Sequence, residues 1–226
     1  MLAVAVAGTV CLLSACTQQA GPVIRGSAPP VASVPPRPYP PMGAPAGLAI
    51  PPLQADGKRL TVNSGLQGAQ AVWSLRSAYN VAALNCQKPQ HAAILPGYSG
   101  FLKTHTKVLK KTNSDLDRQF KAEYGQNRYI RARETFQTQI YNFFAYPPVL
   151  PALCDATVSL SQDIAAVAPG QLEGYAPAAL ARLDLVYQQF YNSYAQYLAD
   201  LAGWEARYGA GPAVAAGSSS SQSLAQ

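Results

Sequence analysis

The residues with the strongest chemical character are six cations, Lys103, Lys107, Lys110, Lys111, Arg118 and Lys121. Placed on a helix they share one face, while Phe101, Leu102, Val108, Leu109, Leu116 and Phe120 take the other. Only Asp117 stands at the edge of the cationic side. Such a face attracts phosphates, anionic head groups or acidic protein surfaces. The plainer reading is a solvated face, or one paired with acids elsewhere in the fold. Lysine dominates and is a point charge without the planar fork of arginine, so a dedicated phosphate site is not indicated. The imbalance extends further: residues 99–145 carry nine Lys or Arg against four acids, and residues 152–208 carry two against six. The helical part of the chain is therefore electrically polarised.

A second set of ionisable residues interrupts apolar stripes: Arg76 beside Trp73 and Tyr79, His105 between Leu102 and Leu109, Glu123 below Phe120, and Arg133 between Tyr129 and Phe136. Buried charges need partners. The expectation is a polar cluster in which Glu123 pairs with Arg76 or Arg133, either fixing helix register or lining a pocket. Catalysis would need an acid and a base converging on a cleft, which spacing alone does not show. The sequence carries no GxSxG, no glycine loop of the phosphate-cradling kind and no HExxH. Its only histidines are His91 and His105. No enzyme, cofactor or metal site is expected on these grounds.

The elements that must position these residues are helices. Gly and Pro punctuate the sequence so as to predict five, over 65–86, 99–124, 127–145, 152–167 and 177–208. Asn63-Ser64-Gly65 offers turn and cap chemistry for the first, after a short extended segment around Leu60 to Val62. The last is the clearest: Leu180, Leu183, Tyr187, Phe190, Tyr191, Tyr194, Leu198, Leu201 and Tyr208 fall on one stripe, with Pro177 at a position typical of a first turn. It is expected to be the spine of the bundle. Its tyrosines suggest core packing with wet hydroxyl tips ahead of a sugar-stacking surface. The predicted fold is all-α, an up-and-down bundle of four or five helices over residues 65–208. Composition agrees, with 49% hydrophobic and 12% charged residues among 226, enough for one packed core. Residues 209–226 are Gly, Ala, Ser and Gln-rich and are expected to stay disordered.

Ahead of the helices, prolines recur from Gly21 to Pro52 with small residues between them. This predicts a polyproline-type tether, which from Cys16 to Leu53 would reach up to roughly 100 Å. Before it, Met1 to Ala15 is an apolar run of the length of a signal-peptide core, too short to span a bilayer.

That run ends in Leu13-Ser14-Ala15-Cys16, which resembles the lipobox of bacterial lipoproteins. The resemblance covers only these residues and the tether behind them. It implies a leader over 1–15, removed before Cys16, acylation of the Cys16 thiol, and a tether over 16–64 that hangs the domain from an envelope membrane. Thr17 in place of an acidic residue implies sorting to the outer membrane, facing the periplasm. No Lys or Arg precedes the apolar run, so a start upstream of Met1 is expected. In an oxidising compartment the cysteines left in the mature domain, Cys86 and Cys154, are expected to form one disulfide ahead of a reactive pair or a metal site. Nucleic acid is excluded by the same compartment. The Glu-Ser pair of a wall-cleaving transglycosylase is missing, because Glu123, Glu134, Glu173 and Glu205 precede Tyr, Thr, Gly and Ala. The functional expectation is a noncatalytic accessory lipoprotein that docks an envelope protein or anionic envelope component through Lys103, Lys107, Lys110, Lys111, Arg118 and Lys121. The alternative is a ligand-binding module with a pocket lined by Arg76, His105, Glu123 and Arg133.

Overall fold

Between Gly68 and Asn85 the chain places Ala, Ser, Val, Leu and Tyr on nearly every side of a helix, here α1. A helix without a polar face is buried, and α1 packs against all five other helices. Small residues at Ala71, Ser74, Ser77, Ala78 and Ala82, each fully enclosed, let those neighbours approach. The hub of the bundle is therefore α1, where the stripe on the last helix had suggested that element. The computed structural model describes residues 34–209; Cys16, the leader and all of the proposed C-terminal tail but Gly209 lie outside them. The chain divides into two units, Met1–Pro35 and Pro36–Gln226, and the bundle is the second.

The remaining helices are α2 (Ile94–Thr104), α3 (Thr106–Tyr124), α4 (Tyr129–Phe144), α5 (Leu150–Ala165) and α6 (Leu172–Trp204). The all-α bundle is as expected, with no strand among the described residues and one isolated bridge between Leu53 and Arg59. Most helix boundaries shift by one to five residues from the sequence reading, and three differences have a clear physical reason. The second predicted helix is two, broken at His105, whose φ −101° and ψ 14° leave the helical well. It also begins earlier, because Pro96 is the third residue of α2, where a missing N–H costs nothing. Pro177 lies inside α6, five residues after its start, and forgoes only the hydrogen bond to the Glu173 carbonyl.

The long helix α6 buries Leu180, Leu183, Tyr187, Phe190, Tyr194 and Tyr197. These advance alternately by three and four residues, the 3.5-residue period of a packed helical seam. A 3.6-residue projection drifts off that seam, which is why Leu198 and Tyr208 were expected inside and stand 39% and 36% exposed. Two of the tyrosine tips are bonded inside the fold, where wet tips were expected. The Tyr187 hydroxyl donates to the Phe144 carbonyl at 2.8 Å, and Tyr194 donates to the Pro45 carbonyl at 2.8 Å while accepting from the Leu48 N–H at 2.9 Å. Burial pushes the Tyr187 phenol far above its ordinary value.

Residues 36–64, expected as the distal half of a free tether, are laid along α6 instead. Arg37 pairs with Glu205 at 2.6 Å. Further along, the Arg59 backbone N–H donates to Gln188 at 2.7 Å and its side chain donates to Asn192 at 3.0 Å and the Pro51 carbonyl at 2.9 Å. Thr61 and Asn63 both donate to Asp184, at 2.9 and 3.2 Å. This strap runs antiparallel to α6 and is fixed by polar side chains that a proline count does not weigh. Asn63 also accepts from Ser74 on α1 at 2.6 Å, so it is not a helix cap; Asn63 to Gly65 form a turn and α1 starts at Gly68.

Candidate functional site

The cationic residues lie on two elements. Lys103 sits in the last turn of α2, and Lys107, Lys110, Lys111, Arg118 and Lys121 sit on α3. Two of the six share one carboxylate on their own helix. Lys111 and Arg118 converge on Asp115 from four residues before and three after, the first at 2.6 Å. Asp115 was overlooked because it projects at the rim of the cationic face, where both neighbours reach it at helical spacing. The shared bonds hold the Asp115 carboxyl below the usual carboxylate range and raise Lys111.

The other four, Lys103, Lys107, Lys110 and Lys121, are exposed. Among the described residues no carboxylate lies within 4.0 Å of them. Of the six acids between residues 152 and 208, four are engaged with other groups, Asp200 accepts from the Gln196 amide at 2.8 Å, and Glu173 is exposed and adds to the upward shift of Lys111. Asp163 pairs with Arg182 at 2.6 Å, Glu205 with Arg37, Asp155 with His91 at 2.7 Å, and Asp184 holds the strap. Helix α3 packs on α1 and α4 and its lysines face outward.

The expected polar cluster forms in half. Arg76 from α1 and Arg133 from α4 meet over one indole, their guanidinium carbons 5.1 and 5.9 Å from the Trp73 ring centroid. Cation–π contact of this kind contributes about 0.5–2 kcal/mol depending on exposure. The acid that joins them is not Glu123. Arg133 is bonded by Asp117 and Asn113, both from α3, which clips α4 to α3. Glu123 is exposed and acts on its neighbour, raising the Tyr124 phenol through a hydrogen bond. It points away because Phe120 and Leu116, not Glu123, face the small core under Trp73. His105 is also separate: it is 1% exposed, its ring lies 5.0 Å from that of Phe101, and its Nδ1 has no partner among the described residues. Burial lowers its pKa, so it packs as a neutral ring at the α2–α3 break.

Trp73, Arg76, Leu102, Leu109, Lys110 and Asn113 line an open groove of about 620 Å³ between α1 and the α2–α3 arm. Sequence reasoning found Arg76 and Lys110 separately but could not bring them to one place, since they approach through a packing of helices far apart in the chain. Arg76 is half-buried there, and its one hydrogen-bonding neighbour among the described residues is the Tyr141 hydroxyl at 3.4 Å.

Elsewhere, Cys86 and Cys154 form the expected disulfide, with Cα atoms 5.5 Å apart, joining the end of α1 to α5. His91 and Asp155 lie close behind each cysteine in the chain and add the 2.7 Å bond already noted. Among the described residues no three His, Cys, Asp or Glu side chains gather as metal ligands, and no helix is long and apolar enough to cross a membrane.

Comparison with protein-family models, curated proteins and solved structures found no match.

Proposed function

We propose that the chain is an envelope lipoprotein, acylated on Cys16, whose helical domain is a noncatalytic docking module that seats on an acidic surface of an envelope protein. The observation that carries this reading is the set of four exposed lysines, Lys103, Lys107, Lys110 and Lys121, with no carboxylate within 4.0 Å among the described residues. Against the plainer reading, a solvated face or one paired with acids elsewhere in the fold, stands the engagement of Asp155, Asp163, Asp184 and Glu205 with other groups. Clustered lysines raise the local potential and speed encounter with an acidic surface by about 10- to 1,000-fold at low salt. The lipobox resemblance at Leu13-Ser14-Ala15-Cys16 and Thr17 supports a lipid anchor in the outer membrane, which leaves the domain to find its partner in two dimensions.

The test is crosslinking in intact cells followed by affinity capture, comparing the native chain, a Cys16→Ser form and a Lys103→Glu, Lys107→Glu, Lys110→Glu form. The expected result is one reproducible acidic envelope protein, lost on charge reversal with helical circular dichroism unchanged. Equal capture by the reversed form would remove the lysine face from the interaction. Capture of lipopolysaccharide or phospholipid in place of a protein would replace the partner class.

A further inference from the structure

The groove beside Trp73 contains a charge that the fold does not balance. Helix α1 is otherwise Ala, Ser, Val, Leu, Asn, Gln, Gly and aromatic residues, and Arg76 is its one ionisable group besides Tyr79. A partly buried guanidinium normally takes a carboxylate. Arg133 does so with Asp117; Arg76, facing the same indole, has none within 4.0 Å among the described residues. Two guanidinium groups and one carboxylate therefore surround Trp73, and Lys110 on the opposite wall adds a further positive charge. Between these polar groups the surface is apolar, formed by Leu102, Leu109 and the Trp73 ring.

We propose that this groove binds a ligand carrying a carboxylate or phosphate on an apolar body, the oxyanion on Arg76 and the body against Leu102, Leu109 and Trp73. The volume of about 620 Å³ falls in the range of small-ligand sites, roughly 300–1,000 Å³. Arg76 supplies the fork geometry suited to an oxyanion, and its N–H groups are uncommitted apart from the long contact to Tyr141. The site is separate from the lysine face except at Lys110, and binding to it needs no partner protein.

The test uses the purified full chain with Trp204→Phe, which leaves Trp73 as the sole indole. Its emission is titrated with decanoate, decyl phosphate, decanol and inorganic phosphate. A saturable change with decanoate or decyl phosphate, at least 10-fold weaker with Arg76→Met and unaltered by Lys121→Met, supports the proposal. Decanoate alone assigns a carboxylate, and decyl phosphate alone a phosphate head group. Response to inorganic phosphate alone, an equal response to decanol, undiminished binding by Arg76→Met, or no response to any probe overturns it. Unchanged circular dichroism of Arg76→Met separates lost binding from lost folding, and because no partner is present the outcome is independent of the docking test.

Discussion

Single residues set the tolerances of this fold, and two can be tested directly. Gly97 on α2 faces the hydroxyl of Tyr79 so closely that a Cβ at residue 97 would stand 2.3 Å from that oxygen and 3.3 Å from Ser161 Cβ. Gly97→Ala should therefore destabilise by about 1–3 kcal/mol despite its better helix propensity. In a Tyr79→Phe background the oxygen is gone and the penalty should shrink by at least 0.5 kcal/mol in a double-mutant cycle; a purely additive cycle would place the clash elsewhere. His105 gives a pH dependence. Its ordinary pKa of 6.5 is lowered in the fold by burial, so below about pH 6.5 the unfolded chain takes up a proton that the folded chain resists. Stability should fall as pH drops from 6.5 towards the lowered pKa. His105→Phe should narrow the gap between urea midpoints at pH 7.5 and 5.5, and an unchanged gap would mean that the ring protonates in place.

At the scale of elements, the sequence made the helices visible and left their joints obscure. The apolar stripe Leu102, Val108, Leu109, Leu116 and Phe120 continues across the break at His105, because one residue out of the helical well shifts register too little to interrupt it. No Gly or Pro marks the position. The strap was hidden for another reason. Prolines between 36 and 52 signal an extended chain, and extended chain is equally suited to lying free or to lying on a helix. What decides is the polar row Tyr194, Asn192, Gln188 and Asp184 on α6, whose partners are more than a hundred residues away. Half of the candidate cluster, Arg76 with Arg133, was legible from stripes, whereas Trp73 as their shared partner and Asp117 as the acid on Arg133 required three helices to be assembled. The strap yields its own prediction: Tyr194→Phe strands the Leu48 N–H and the Pro45 carbonyl. It should cost about 1–3 kcal/mol, with hydrogen exchange accelerating at Leu48 before it does in α1.

For the molecule as a whole, the Cys86–Cys154 bond closes a sequence separation of 68 residues and encloses α2, α3, α4 and the start of α5. In the chain-entropy model that loop is worth about 4 kcal/mol. Replacing both cysteines by alanine should lower the melting temperature by about 10 °C, leaving the lysine face and the groove in place if binding is assayed well below the transition. The disulfide does not enclose the strap or α6, and that division bears on mechanical load. The strap enters beside Glu205, at the C-terminal end of α6, and runs back towards Asp184. Tension between residue 36 and a partner gripping α3 is thus met first by the strap bonds. Drawn along the axis of α6 those bonds bear the force together in shear; drawn across it they open one after another. Under the proposed anchor on one side and partner on the other, the direction of pull, more than the number of bonds, would decide how long the domain holds.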